Sequence, residues 1–312
     1  MSTGARRIIR RAAAAALVTG LLGWIAWQLW RDASSMDWAA LRPSPLPLAG
    51  AALVLLGAYL FRASLWNHVL RSMGEEVRTR DGWRVFLGAQ LGRYLPGKVW
   101  QIAGASLMAE RYGVSGAAAG TATLVAVMIH HLVGGAFALF ALEGLADDLA
   151  WTGGAVALAG VIGLAFLASP LFAGSLRWLA SATGRASLAK VEPPAPRALL
   201  VVTPGYALVW LAFAGALLLV AHGLFPGLPW IRPHLALGAM AAAAVAGFAV
   251  LIAPSGLGVR EAVLVTLLGP SIGVVPATMT ALALRIWMTV VELSLSLWGA
   301  WPHLRARRAE KA

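Results

Sequence analysis

The chain has 312 residues, 60% of them hydrophobic and only 12% charged, with no cysteine. A soluble domain carries about a quarter charged residues, so the deficit excludes a water-soluble fold, and the missing cysteine excludes disulfides, thiolate nucleophiles and cysteine metal sites. A formal net charge of +12 would point to nucleic acid in a soluble protein; here the basic residues punctuate apolar runs, so a membrane is expected and no nucleic-acid partner.

Apolar stretches of roughly 20 residues, the length a helix needs to cross the hydrocarbon region, recur along the whole chain. Backbone groups in lipid must be satisfied within helices or a closed barrel. The runs are long and unbroken rather than alternating in tens, which excludes the barrel. The fold class is therefore all-α, a polytopic membrane bundle forming a single transmembrane domain over 1–312, with a short basic N-terminus 1–11 and C-terminus 302–312.

In chain order, helices are predicted near 12–30, 48–68, 116–142, 153–172, 199–222, 234–253 and 276–300. The first follows Arg6, Arg7, Arg10 and Arg11 and carries Trp24, Trp27 and Trp30. Those aromatics suit an interfacial belt, and with no small-residue cleavage site the run reads as an uncleaved signal anchor. Lys and Arg mark the cytoplasmic side. They collect before the first span, in 69–84 (Arg71, Arg78, Arg80, Arg84), in 173–197 (Arg177, Arg185, Lys190, Arg197) and in the tail (Arg305, Arg307, Arg308, Lys311), whereas loop 143–152 carries Glu143, Asp147 and Asp148. Both ends are thus expected in the cytoplasm of a multi-pass cell-membrane protein.

Two further segments are apolar but interrupted. The segment 84–108 contains Gly92-Arg93-Tyr94-Leu95-Pro96-Gly97-Lys98 and reads as a re-entrant hairpin; the segment 254–270 opens on Pro254-Ser255-Gly256-Leu257-Gly258-Val259-Arg260-Glu261. Two cytoplasmic ends need an even number of crossings, so seven clean spans require 254–270 to supply a short eighth. The alternative, a second re-entrant loop there, would put the basic tail outside.

Charged side chains at membrane depth are costly and mark functional sites or ion pairs. Arg62 lies toward the end of its helix and is read as snorkelling to the headgroups. Arg93, Lys98 and Arg260 flank breaks at which Pro and Gly end one half-helix and the positive N-terminus of the next begins, a combination suited to a phosphate. Glu261 is expected to orient Arg260 or to favour its helix N-terminus. Arg285 and Glu292, seven residues apart on one face, either each find a partner on another helix or line a polar path. His130 and His131 point about 100° apart on a helix, so they are not a two-ligand metal pair, and neither metal nor cofactor is predicted. No catalytic residue is assigned.

Leu91-Gly92-Arg93-Tyr94-Leu95-Pro96-Gly97-Lys98-Val99-Trp100 followed by Ala253-Pro254-Ser255-Gly256-Leu257-Gly258-Val259-Arg260-Glu261-Ala262 resembles the lysylphosphatidylglycerol synthase transmembrane (flippase-like) family over nearly the whole chain. The resemblance implies a lipid-handling role. In two-part relatives a soluble aminoacyl-transferase domain follows this membrane region; the chain ends at Ala312, shortly past its last predicted span, and reads as a stand-alone member without that domain. The leading expectation is a transporter or flippase of an anionic, phosphate-bearing lipid, with Arg93, Lys98 and Arg260 on the phosphate and Glu261, Arg285 and Glu292 lining or pairing along the path. Two other classes compete: an intramembrane enzyme acting on a lipid phosphate, with Glu261 or Glu292 as base, and a scaffold for a cytoplasmic lipid- or glycan-modifying enzyme.

Overall fold

The computed structural model describes Trp27 and residues 41–94, 99–142, 149–250 and 254–309. Among the described residues every regular element is helical. The expected span near 12–30, apart from Trp27, and most of the acidic loop after residue 142 lie outside the described residues.

Helix α1 (Pro45–Ser72) opens on proline at its first turn, where a missing N–H costs nothing. It packs along α7 (Pro196–Leu224) over most of its length. Helix α4 (Gly116–Ala138), continued by a 3-10 turn to Leu142, starts at Ser115, whose hydroxyl accepts from the Ala118 N–H. Two buried tryptophans tie these three together. Trp66 of α1 donates from Nε1 to the Thr123 hydroxyl at 3.0 Å, and Trp210 of α7 donates to the His130 carbonyl at 3.0 Å. Both rings are wholly buried with their one polar atom satisfied, so each anchors packing without an orphaned donor.

Among the described residues four helices are long and apolar enough to cross a bilayer: Pro45–Ser72, Gly116–Ala141, Pro196–Leu224 and Val274–His303. The last belongs to α10 (Val274–Ala309). The run expected at 153–172 is broken: α5 (Leu149–Leu167) and α6 (Pro170–Thr183) meet at a bend of 63° at Ser169–Pro170, where proline bars the preceding residue from helical geometry.

The segment expected to re-enter does fold back. Helix α2 (Thr79–Ala89) runs into a 3-10 turn over Gln90–Tyr94, and α3 (Trp100–Ala109) returns alongside it. A Cβ on Gly104 would meet Ala89 at 3.5 Å, while one on Gly92 would drive into the Trp100–Gln101 backbone at 2.5 Å. The glycine at 92 is what lets the two strokes of the hairpin close at its tip.

A second hairpin forms where two crossings were expected. Helix α8 (Pro233–Ala249) has 17 residues and α9 (Val259–Ile272) has 14, lengths of about 25 and 21 Å at 1.5 Å per residue, short of the roughly 30 Å hydrocarbon thickness. They run antiparallel: Gly247 sits against Gly256 and Arg260, and Met240 and Ala243 share a small cavity with Leu264. The predicted crossing 254–270 is thus one arm of a returning hairpin whose other arm is the predicted span 234–253. The sequence could not separate them because α8 is as apolar as a true span.

The two hairpins enter from opposite ends of the bundle. At the base of the first, Glu75 accepts from the Ser115 N–H at 3.1 Å, Gly74 lies beside Glu192, and Tyr112 packs edge-on against His303. This end gathers the turns in which the sequence places its basic residues. At the other end, Ser44 donates to the Gly223 carbonyl at 2.7 Å, Trp287 donates to the Leu48 carbonyl at 2.7 Å, and Gly238 abuts Phe140 and Ala141. The tips meet between these ends, the Gln90–Tyr94 turn touching Pro254–Gly256.

Candidate functional site

Backbone geometry at the second tip explains its sequence. Ser255, Gly256 and Gly258 all adopt positive φ, of 52°, 70° and 80°. Two are glycine, for which this region carries no steric penalty. A Cβ on Gly256 would stand 2.9 Å from the Gly247 Cα, and one on Gly247 would stand 2.6 Å from Cγ of Arg260. The facing glycines let the break press onto α8 and let the Arg260 stem cross it. The Gly258 N–H donates to Oε2 of Glu261 at 2.7 Å, meeting part of the demand of the α9 N-terminus from within.

Where the tips meet there is a cavity of about 60 Å³ lined by Arg62, Arg93, Gln101, His130, His131, Gly247, Phe248, Ser255 and Arg260. On the same measure a single water requires roughly 10–15 Å³, so the space holds a guest of several heavy atoms. Each hairpin contributes a cation beside its break, and α1 contributes a third. The start of α3, at Gln101, and the start of α9, at Arg260, both border the space, which adds the partial positive charge of two helix N-termini.

The carboxylates are spent on specific partners. Oε1 of Glu292 lies 2.6 Å from the Arg93 guanidinium, and the Tyr94 hydroxyl donates to Oε2 at 3.3 Å. Glu261 lies 3.7 Å from Arg285, which also donates to the Ser255 carbonyl at 3.2 Å. Arg285 and Glu292 therefore each find a partner on another element. Arg285 braces the second tip against α10 and Glu292 braces the first. Glu261 accepts from the Gly258 N–H at the start of α9 and faces Arg285, and among the described residues no hydrogen bond or ion pair joins it to Arg260.

Arg62 corrects the sequence reading most. It is 8% exposed and borders the cavity, with its Cζ 5.9 Å from the Tyr59 ring centre and 6.0 Å from that of Phe86, within cation–π range. Its Nε has no hydrogen-bond partner. Ten residues separate it from the end of α1 at Ser72, about 15 Å of rise, too deep for its side chain to reach headgroups. The signal was present: Tyr59, Arg62 and Trp66 fall on one helical face, so the arginine points inward with its aromatic neighbours.

His130 and His131 were also missed as lining residues. His130 stacks on Trp210, centroids 4.4 Å apart and planes within 6°, and its Nδ1 is unpartnered. The Nδ1–H of His131 donates to the Val127 carbonyl at 2.8 Å while its ring packs on Phe248. Lys98 and the Leu95–Gly97 break beside it lie outside the described residues. Of the three cations assigned to a phosphate, Arg93 and Arg260 are brought to one cavity, and among the described residues neither Arg62 nor Arg260 has a carboxylate within 4 Å.

A search of curated proteins finds no match to this chain. A family model, described as the lysylphosphatidylglycerol synthase TM region, matches residues 11–294, a stretch that includes both hairpins, the cavity and every described helix up to the Arg93–Glu292 pair. With its all-helical bundle and lipid-length spans, the chain belongs to the lysylphosphatidylglycerol synthase transmembrane-region family.

Proposed function

We propose that this protein moves an anionic, phosphate-bearing lipid between the leaflets of the cytoplasmic membrane, with its headgroup passing through the cavity between the hairpin tips. The observation that carries the reading is the gathering of Arg62, Arg93 and Arg260 around one cavity at the meeting of two broken hairpins. Carrying a charged headgroup through hydrocarbon is opposed by desolvation, and fixed guanidiniums at half depth offset that cost where it is greatest. Two arginines can each grip a phosphate through paired N–H donors. Family membership supports a lipid-related role. The role is that of a transporter rather than an enzyme, because Glu261 and Glu292, the carboxylates nearest the site, are engaged by Arg285 and by Arg93 with Tyr94, and neither is free to act as a general base.

The topology that suits this role places the basic end of the bundle in the cytoplasm. The first hairpin then enters from the cytoplasm and the second from outside. Lys98, by its place in the first break, adds a further cation to the phosphate path. The test is the lipid that co-purifies with the protein: mass spectrometry of detergent extracts is expected to show an acidic lipid with wild type and its loss with Arg260→Ala. Equal recovery of the same lipid from both would remove Arg260 from the site.

A further inference from the structure

Charge bookkeeping at the cavity restricts the guest further, and this step rests on the transport reading above. Three guanidiniums border the space, and one carboxylate, Glu292, is bonded to one of them. Arg285 and Glu261 neutralise each other one layer behind. Counting the imidazoles as neutral, the cavity keeps two positive charges without a protein counterion among the described residues, on Arg62 and Arg260. Arg62 is more than nine-tenths buried with its Nε unpartnered, so bulk water screens its charge only weakly. Buried charges are retained only when paired, and the pairing here must come from the guest.

We infer that the headgroup this cavity accepts is a dianion, a phosphate monoester at the end of a lipid, rather than the singly charged phosphodiester of ordinary phospholipids. One oxygen edge of the monoester faces Arg260 and another faces Arg62, while Arg93, held by Glu292 and Tyr94, is the less available third. The rim favours a lipid over a free phosphate ion. Phe248, which borders the cavity, is 37% exposed, and Val99 and Trp100, next to the lining Gln101, are 59% and 49% exposed. These apolar surfaces suit an acyl or prenyl chain trailing from the bound headgroup.

The test uses the full chain in phosphatidylcholine vesicles doped with fluorescent phosphatidic acid, a monoester, or fluorescent phosphatidylglycerol, a diester. Movement between leaflets is followed by dithionite quenching. At pH 8 the monoester is expected to move at least about tenfold faster than the diester, reflecting one extra charge near two fixed cations. The preference is expected to collapse at pH 5, because the second ionisation of a phosphate monoester lies near pH 6. Arg62→Gln is expected to abolish the preference and Arg62→Lys to keep it; binding by native mass spectrometry gives the same ratio if a variant transports poorly. Equal or faster movement of the diester at pH 8 overturns the dianion while leaving lipid transport standing. Uptake of inorganic phosphate into these vesicles without lipid movement overturns the lipid assignment. Failure of both lipids to move or bind overturns the transport reading itself.

Discussion

Removing Arg93 leaves Glu292 buried and, among the described residues, facing only the Tyr94 hydroxyl. Breaking a buried pair at one partner costs about 3–5 kcal/mol, because the other charge stays uncompensated. Arg93→Ala is therefore expected to lower the thermal midpoint in detergent sharply, and Arg93→Ala with Glu292→Gln to recover most of the loss. If the double variant is as unstable as the single one, the pair is not the brace described above. Arg62 behaves differently, since among the described residues its positive charge has no carboxylate to orphan. Arg62→Gln is expected to leave the thermal midpoint unchanged or raised, because it removes a buried charge that lies against aromatic rings and, among the described residues, has no carboxylate within 4 Å. A fall as large as that of Arg93→Ala would mean that Arg62 has a structural partner after all. At this scale the sequence identified Arg93, Arg260, Arg285 and Glu292 by their depth in apolar runs. It could not say which arginines are spent on carboxylates and which are not, since that depends on contacts between residues about 24 and 200 positions apart.

Each hairpin depends on a break of a few residues. At Gly256 a side chain would need positive φ and would meet the Gly247 Cα at 2.9 Å. Gly256→Ala is expected to destabilise by more than about 1 kcal/mol and to displace the Arg260 stem. Gly215, within α7, is the control: nothing lies within 4 Å of where its Cβ would stand. Alanine there is expected to be neutral or stabilising by up to about 1 kcal/mol, as in any open helical position. Tryptophan-fluorescence melts of the two variants compare them directly, and equal midpoints would contradict the close approach of α8 and the tip. The breaks themselves were legible, because Pro254 and the glycines at 256 and 258 are chain punctuation with a local cause. That 234–253 turns back was not legible. Its alanines and glycines suit a full span equally well, and only its antiparallel contact with α9 shows where it stops.

For the whole molecule, the helices form a bundle in which the long spans α1, α4, α7 and α10 frame two hairpins that meet tip to tip. With one crossing from the predicted first span and one from the bent α5–α6 pair, the proposed topology has an even number of crossings and both ends on one side. The parity argument from the sequence survives in that topology, though the second broken segment no longer has to cross. The chain has no cysteine, so single cysteines can be introduced without removing native ones. A membrane-impermeant bulky maleimide is expected to label Ser271→Cys from outside and Ser187→Cys from the cytoplasm, and to label Leu257→Cys from neither face. Cytoplasmic labelling of Leu257→Cys would restore two full crossings at 233–272 and remove the second hairpin from the membrane interior.

The central claim is that arginines at the meeting point of the hairpins carry an anionic lipid headgroup across the bilayer. Its most direct test is movement of a fluorescent anionic lipid between leaflets in reconstituted liposomes, comparing wild type, Arg260→Ala and protein-free vesicles. Wild type is expected to exceed the protein-free rate clearly, with Arg260→Ala slower by about tenfold or more, a loss of at least about 1.4 kcal/mol in barrier lowering. Equal rates for wild type and Arg260→Ala would contradict the account.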